Sequence, residues 1–256
     1  MPSWTRGALS IAGFFGLWEI VARSGLVPAE YFPSPVVIAQ TLAAEMARGE
    51  LPGAFLVTFA RALCGAAAGV AAALSVALLT ARYRIAQRAF EPFAELLRPL
   101  PPAAITPLAI FFLGLGWKLY GFILVFACFW PVYLNAAQAL GATSNVQIET
   151  ARTFGYGRWE TLLRVRLPAG LPTIFTGVRM ASSIALIAAI AAEMIAGRDG
   201  LGFYLMDAGL TLRVPDTFAG LVMAMIAGLL MNALVLALRR FALRWHEQMI
   251  VQAETS

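Results

Sequence analysis

Residues 149–168 read ETARTFGYGRWETLLRVRLP, from Glu149 to Pro168, a polar, arginine-bearing insert in an otherwise oily chain. Apolar runs at 120–134 and 173–195 flank it. A short basic insert between two membrane spans belongs on the cytoplasmic side. Its inner order is readable. Residues 147–154 are polar helix formers. Gly155 and Gly157 then offer a break where the backbone can take φ > 0. Residues 158–166 have the spacing of a second short amphipathic helix. Leu167-Pro168 is expected to stop it, because proline cannot continue a helix. Two surface helices hinged at glycine make a docking element, and no side chain in the insert is arranged for chemistry.

Outward from the insert, the chain reads as membrane protein. Hydrophobic residues make up 60% of the 256, charged residues 13%, and mean hydropathy is +0.76. Soluble domains carry about a quarter charged residues. Six apolar segments are expected to span: 7–22, 56–80, 93–113, 119–139, 171–195 and 218–238. The fold expected is an all-α integral membrane protein with six transmembrane helices. Glu19 inside the first run and the lack of a small-residue cleavage site argue for a retained span rather than a signal peptide. The basic pI near 9.7 is not a nucleic-acid signal, since no basic tract is interleaved with aromatics. Arginine placement explains it instead. With the N-terminus inside, Arg6, Arg82, Arg84, Arg88, Arg152, Arg158, Arg164, Arg166, Arg239, Arg240 and Arg244 all fall on the cytoplasmic side, and Arg48, Lys118, Arg198 and Arg213 fall outside, with Arg23 and Arg61 near span ends. Both termini are thereby expected in the cytoplasm.

The spacing of the insert resembles a known family. Glu149-Thr150-Ala151, three residues, Gly155, nine residues, then Val165-Arg166-Leu167-Pro168 is similar to the EAA loop of ATP-binding-cassette importer permeases. Thr150 and Val165 depart conservatively from the usual alanine and isoleucine. From about residue 51 to 240 the chain resembles a type I permease of the nitrate/sulfonate/taurine branch, with Glu193-Met194, Gly200-Leu201-Gly202 and the proline-rich stretch 97–107 in support. The resemblance implies a bacterial inner-membrane permease that works as a homodimer. It implies cytoplasmic ATP-binding subunits docked on the loops, so that ATP is used by the partner and no cofactor is held by this chain. It also implies a periplasmic solute-binding protein, and a small anionic solute such as a sulfonate, taurine or nitrate. Glu149, Thr150, Ala151, Gly155, Val165, Leu167 and Pro168 would then be the ATPase-coupling residues. The chain divides into 1–50, a first span with its outer loop; 51–240, the transmembrane domain with its coupling loop at 141–170; and 241–256, a cytoplasmic tail.

Catalytic signatures are missing from the sequence. There is one histidine, His246, so no histidine metal site or triad can form. The only lysine, Lys118, sits between Trp117 and Leu119 and not in a phosphate-binding loop. A membrane enzyme would need a cluster of acids, histidines or a nucleophile pair. A secondary transporter or channel, working without an ATPase, would need its own ion-coupling site, and the intramembrane acids are few: Glu19 and Glu193.

The residues available for a translocation path are Pro107, Arg179, Ser182, Ser183 and Glu193. Arg179 lies eight residues into the fifth apolar segment, about 12 Å along a helix. It reads either as a cytoplasmic-side gate or as an arginine paired or reaching to the interface. Ser182 and Ser183 read as helix-packing hydroxyls or as path lining. Glu193 reads as path lining or as the partner of Arg198. Asn135 and Gln138, at the end of the fourth segment, line the path or meet the headgroups. Pro99, Pro101, Pro102 and Pro107 cannot all sit in one unbroken helix. Either they mark a broken, path-lining span or they start the segment at the interface. Gly65 and Gly69 have the spacing of close helix contact. Cys64 and Cys128 read as small buried apolar residues.

Overall fold

The computed structural model describes residues 3–28 and 30–243. His246 and positions 244–256 of the expected tail lie outside the described residues. Eleven α-helices follow in order among the described residues: α1 (Ser3–Arg23), α2 (Pro35–Arg48), α3 (Glu50–Arg82), α4 (Arg84–Leu97), α5 (Pro102–Leu113), α6 (Trp117–Gly141), α7 (Asn145–Thr153), α8 (Arg158–Thr161), α9 (Leu167–Ala196), α10 (Leu201–Leu210) and α11 (Val214–Ala242). A π turn, Leu162–Arg166, joins α8 to α9.

Four continuous helical runs are long and apolar enough to cross a membrane, and the bent pair α4–α5 makes a fifth. The 21-residue α1 exposes Leu9, Phe14, Phe15, Leu17 and Ile20. Six spans are compatible with this arrangement. The third apolar segment differs from its expected outline. It is divided between α4 and α5, which meet at 102°. The break comes at 98–101, where Pro102 opens α5 at a position that has no donor to lose. Pro107 is not part of the break and lies inside α5.

The bundle is centred on α6, the most buried of the spans, which packs on α3 and α9. Small residues set these approaches. A Cβ at Gly65 would overlap Leu124, and one at Gly69 would sit 2.6 Å from Cys128 Cβ, so the glycine spacing of α3 is a close contact with α6 within one chain. On the other side of α6, a Cβ at Gly177 of α9 would fall 2.8 Å from the Pro131 carbonyl oxygen. Asn135 belongs to this seam. Its side-chain amide donates to the Pro131 carbonyl at 2.8 Å, one turn back in the same helix. Cys128 is buried, as expected; Cys64 is exposed, and it lines a cavity beside the start of α6.

Two further helices were not anticipated. α2 starts within the proline-containing stretch after α1, where Ser34 caps it and Pro35 supplies its first turn. α10 packs between α9 and α11.

Candidate functional site: the coupling loop and the faces it drives

The insert builds its docking surface in two steps. Ser144 caps α7, its hydroxyl accepting from the Gln147 amide. At the other end Gly155 takes φ +82°, so that the Gly155 amide donates to Arg152 (2.9 Å) and the Tyr156 amide to Ala151 (3.0 Å). This paired closure is a Schellman motif, and it needs the left-handed residue that glycine supplies. Gly157 does not share the property. Its φ is −68°, and it caps α8 with its amide donating to Glu160 Oε2 at 2.9 Å. The hinge is one glycine, not two.

The expected stop at Leu167-Pro168 is also corrected. Arg158–Ala196 is one helical run of 39 residues. Pro168 occupies the first turn of α9, and the π turn before it absorbs the missing donor: the Leu167 amide donates to Leu162 O, five residues back. A π turn widens the helix locally and spares it a break at the proline ring. The docking element is therefore continuous with the span that follows. Glu149 and Thr150 are exposed on α7, Ala151 is buried, and Val165, Leu167 and Pro168 are half-buried along the run. Arg166 fastens the run to α6, its guanidinium donating to the Leu140 carbonyl, at 2.8 Å from Nε.

The path residues separate by exposure. Glu193 is fully buried, and Ser182 is buried with its hydroxyl donating to the Arg179 carbonyl at 2.7 Å. Pro107, Arg179 and Ser183 are exposed. Because α9 begins earlier than expected, Arg179 stands near its middle, about 18 Å beyond Leu167. Its Nε donates to Asn232 Oδ1 of α11 at 3.2 Å. Glu193 pairs not with Arg198 but with Arg61 of α3 (2.9 Å), and it also accepts from Thr58 (2.6 Å) and the Gly202 amide (3.0 Å). Arg61 reaches on to Asp199 at 2.7 Å and lies 4.2 Å from the Tyr120 ring centre. This cluster closes the bundle at the end opposite the coupling loop. Beside it is a cavity of about 930 Å³ lined by Arg61, Cys64, Trp117, Tyr120, Arg198 and Asp199. None of the five path residues read from the sequence lines this cavity. Arg61 carried no signal beyond its place near a span end.

The comparisons with known proteins place this helical membrane bundle in a family. Residues 65–246 match the profile of the family described as binding-protein-dependent transport system inner membrane component. The chain belongs to that family. It is a multi-pass permease subunit of an ATP-binding-cassette importer, a transport component and not an enzyme, with the ATPase a separate subunit. It is 28% identical over 242 residues to the putative aliphatic sulfonates transport permease protein SsuC of Bacillus subtilis, covering 94% of this chain and 88% of that one. It is 33% identical over 240 residues to a probable ABC transporter permease protein of Brucella abortus, covering 94% and 95%. It is 28% identical over 250 residues to the taurine transport system permease protein TauC of Escherichia coli, covering 93% and 88%. In fold it resembles a chain of the MetNI methionine ABC transporter in an inward-facing conformation, with a TM-score of 0.65 at 18% identity, over 77% of this chain and 98% of that one.

Proposed function

We propose that the permease imports a small organic anion of the sulfonate type, as a homodimer driven by cytoplasmic ATP-binding subunits seated on α7. A periplasmic solute-binding protein delivers the solute. Both termini and the coupling loop face the cytoplasm, in the bacterial inner membrane, and the chain itself holds no cofactor. The observation that carries the coupling is the 39-residue run Arg158–Ala196. Motion given to α7 passes through the Gly155 hinge into α8, and from there without a break into α9. Glu149, Thr150 and Ala151 meet the ATPase, while Val165, Leu167 and Pro168 transmit its movement.

The exposed middle of α9 supports the dimer. An arginine at the centre of a span costs about 2.5–3.5 kcal/mol against lipid. Arg179 and Ser183 therefore belong on a face covered by a second copy or by a watery path, with Pro107 of α5 as a further lining residue. The relatives that transport aliphatic sulfonates and taurine suggest the solute class, and a central arginine suits a sulfonate.

The test is co-purification and reconstitution. The tagged chain, extracted in mild detergent, should bring an ATPase subunit with it, and the complex in liposomes should take up an alkanesulfonate only with ATP and the binding protein. Uptake by the lone chain without ATP would favour a secondary transporter and end this reading.

A further inference from the structure

A cleft of about 650 Å³ opens where the loop-side end of α3 meets α7 and α8. Five arginines line it, Arg82, Arg84, Arg152, Arg158 and Arg166, and no acidic residue does. Arg166 is committed to the Leu140 carbonyl. The other four form no ion pair among the described residues. Arg82 Nε is buried without a hydrogen-bond partner, while its guanidinium lies 4.7 Å from the Tyr83 ring centre and 5.7 Å from that of Trp159. Four unpaired guanidiniums around one hollow repel one another, and a buried N–H without an acceptor costs about 1–3 kcal/mol. An anion with several oxygens removes both penalties, and guanidiniums match phosphate oxygens two at a time.

We propose that this cleft binds a phosphate-bearing anion, and that its occupant is the headgroup of an acidic phospholipid in the leaflet on the coupling-loop side. Position selects the lipid. Arg82 is the last residue of a 33-residue apolar span, so the cleft lies at headgroup level. Tyr83 and Trp159 meet edge to face beside it, 6.3 Å between centres, and aromatics of this kind mark the membrane interface. Ile85 on the cleft wall is 84% exposed, an apolar surface suited to the start of an acyl chain. Basic pockets between spans on this side of a membrane hold acidic headgroups. A bound headgroup braces α3 against α8, the first segment of the lever into α9. Acidic lipid then becomes a requirement for coupling and not only for insertion. The inference rests on the membrane-spanning reading of α3, and on the proposed orientation for the acidic leaflet that the cleft faces.

The experiment places the tagged permease, with whatever subunits accompany it, in nanodiscs of mixed phosphatidylglycerol and phosphatidylcholine. Retained lipid is counted by native mass spectrometry. The wild type should keep phosphatidylglycerol selectively. Arg152→Gln and Arg158→Gln alter exposed side chains and leave the fold intact; each should weaken retention about fivefold. Arg239→Gln with Arg240→Gln, at the end of α11, should leave it unchanged. Retention at the wild-type level in both cleft variants, or equal loss in the α11 control, overturns the site. Variants that keep lipid but shed an accompanying ATPase assign the arginines to protein docking and also overturn it. A phosphatidylcholine-only arm with labelled inorganic phosphate separates the source: phosphate bound by the wild type but not by the cleft variants, with no phosphatidylglycerol retained, overturns the lipid and leaves a soluble anion. Lipid counting needs neither ATP nor uptake, so its failure is distinct from failure of the transport reading.

Discussion

Arg61 and Glu193 stand 132 residues apart in sequence, and their side chains meet at 2.9 Å with the carboxylate fully buried. The pair joins α3 to the far end of α9, and Thr58 and the Gly202 amide occupy the other carboxylate oxygen. Removing one member of a buried pair leaves an uncompensated charge and costs about 3–5 kcal/mol. Glu193→Ala is expected to lower the melting temperature of the detergent-solubilised chain sharply. Arg61→Ala should do at least as much, since it strands the fully buried Glu193 carboxylate without its cation, whereas the Arg61 left by Glu193→Ala is 23% exposed and keeps Asp199. The double variant should lose less than the sum of the two. A melting curve for Glu193→Ala that overlays the wild type would remove the structural role assigned here.

The turn after α9 makes a second, sharper contrast. A Cβ at Gly202 would overlap the Ile190 carbonyl and sit 2.6 Å from Glu193 Cβ, whereas one at Gly209 in the same helix meets nothing within 4 Å. Gly202→Ala is expected to destabilise by about 1–3 kcal/mol, as overpacking does. Gly209→Ala should gain about 0.5–1 kcal/mol from helix propensity. Thermal unfolding of the two variants side by side tests the sign of each, and a neutral Gly202→Ala would contradict the geometry.

These two positions show where sequence reading succeeds and where it stops. Apolar runs and the Gly65–Gly69 spacing announce spans and their close approach, because both are periodic and local. The coupling insert was legible for the same reason: Gly155 stands where a helix must end. What escaped reading depends on distance or on compensation. Nothing near Glu193 in sequence points to Arg61, and the nearer Arg198 offered itself instead. Pro168 signals a stop, yet a π turn upstream absorbs its missing donor. Ser34-Pro35 did carry a start signal for α2, which the surrounding prolines obscured.

Orientation is open to cysteine labelling, and the structure decides which positions are informative. Cys64 is exposed and would give background, so it is replaced first. Position 45 on α2 is a poor site, because Glu45 is only 2% exposed. Arg48, with a side chain 70% exposed, is the better reporter of the far side. Asn145, at the exposed start of α7, reports the coupling side. In intact cells Arg48→Cys should react with an impermeant reagent and Asn145→Cys only after permeabilisation. The reverse pattern would invert the proposed topology and detach the loop from any cytoplasmic ATPase.

The Gly155 hinge gives the most direct test of the lever. A Cβ there meets nothing within 4 Å, so substitution brings no clash, and the penalty is purely one of backbone conformation at φ +82°. For an L-residue in the left-handed region that penalty is about 1–2 kcal/mol, highest for β-branched side chains. Insertion and bundle packing do not involve this residue, so Gly155→Val should reach the membrane in normal amount and melt close to wild type. The closure that sets the angle between α7 and α8 should be lost, since the Gly155 and Tyr156 amides can no longer both reach their carbonyls. The expected result is an assembled complex whose basal ATP hydrolysis persists but no longer rises with loaded binding protein, and whose uptake falls by about tenfold, the rate equivalent of ~1.4 kcal/mol. Gly155→Asn tolerates the left-handed region and should recover much of the uptake. Full stimulated hydrolysis and uptake in Gly155→Val would show that the hinge does not transmit the motion, and that α7 acts on the bundle by another route.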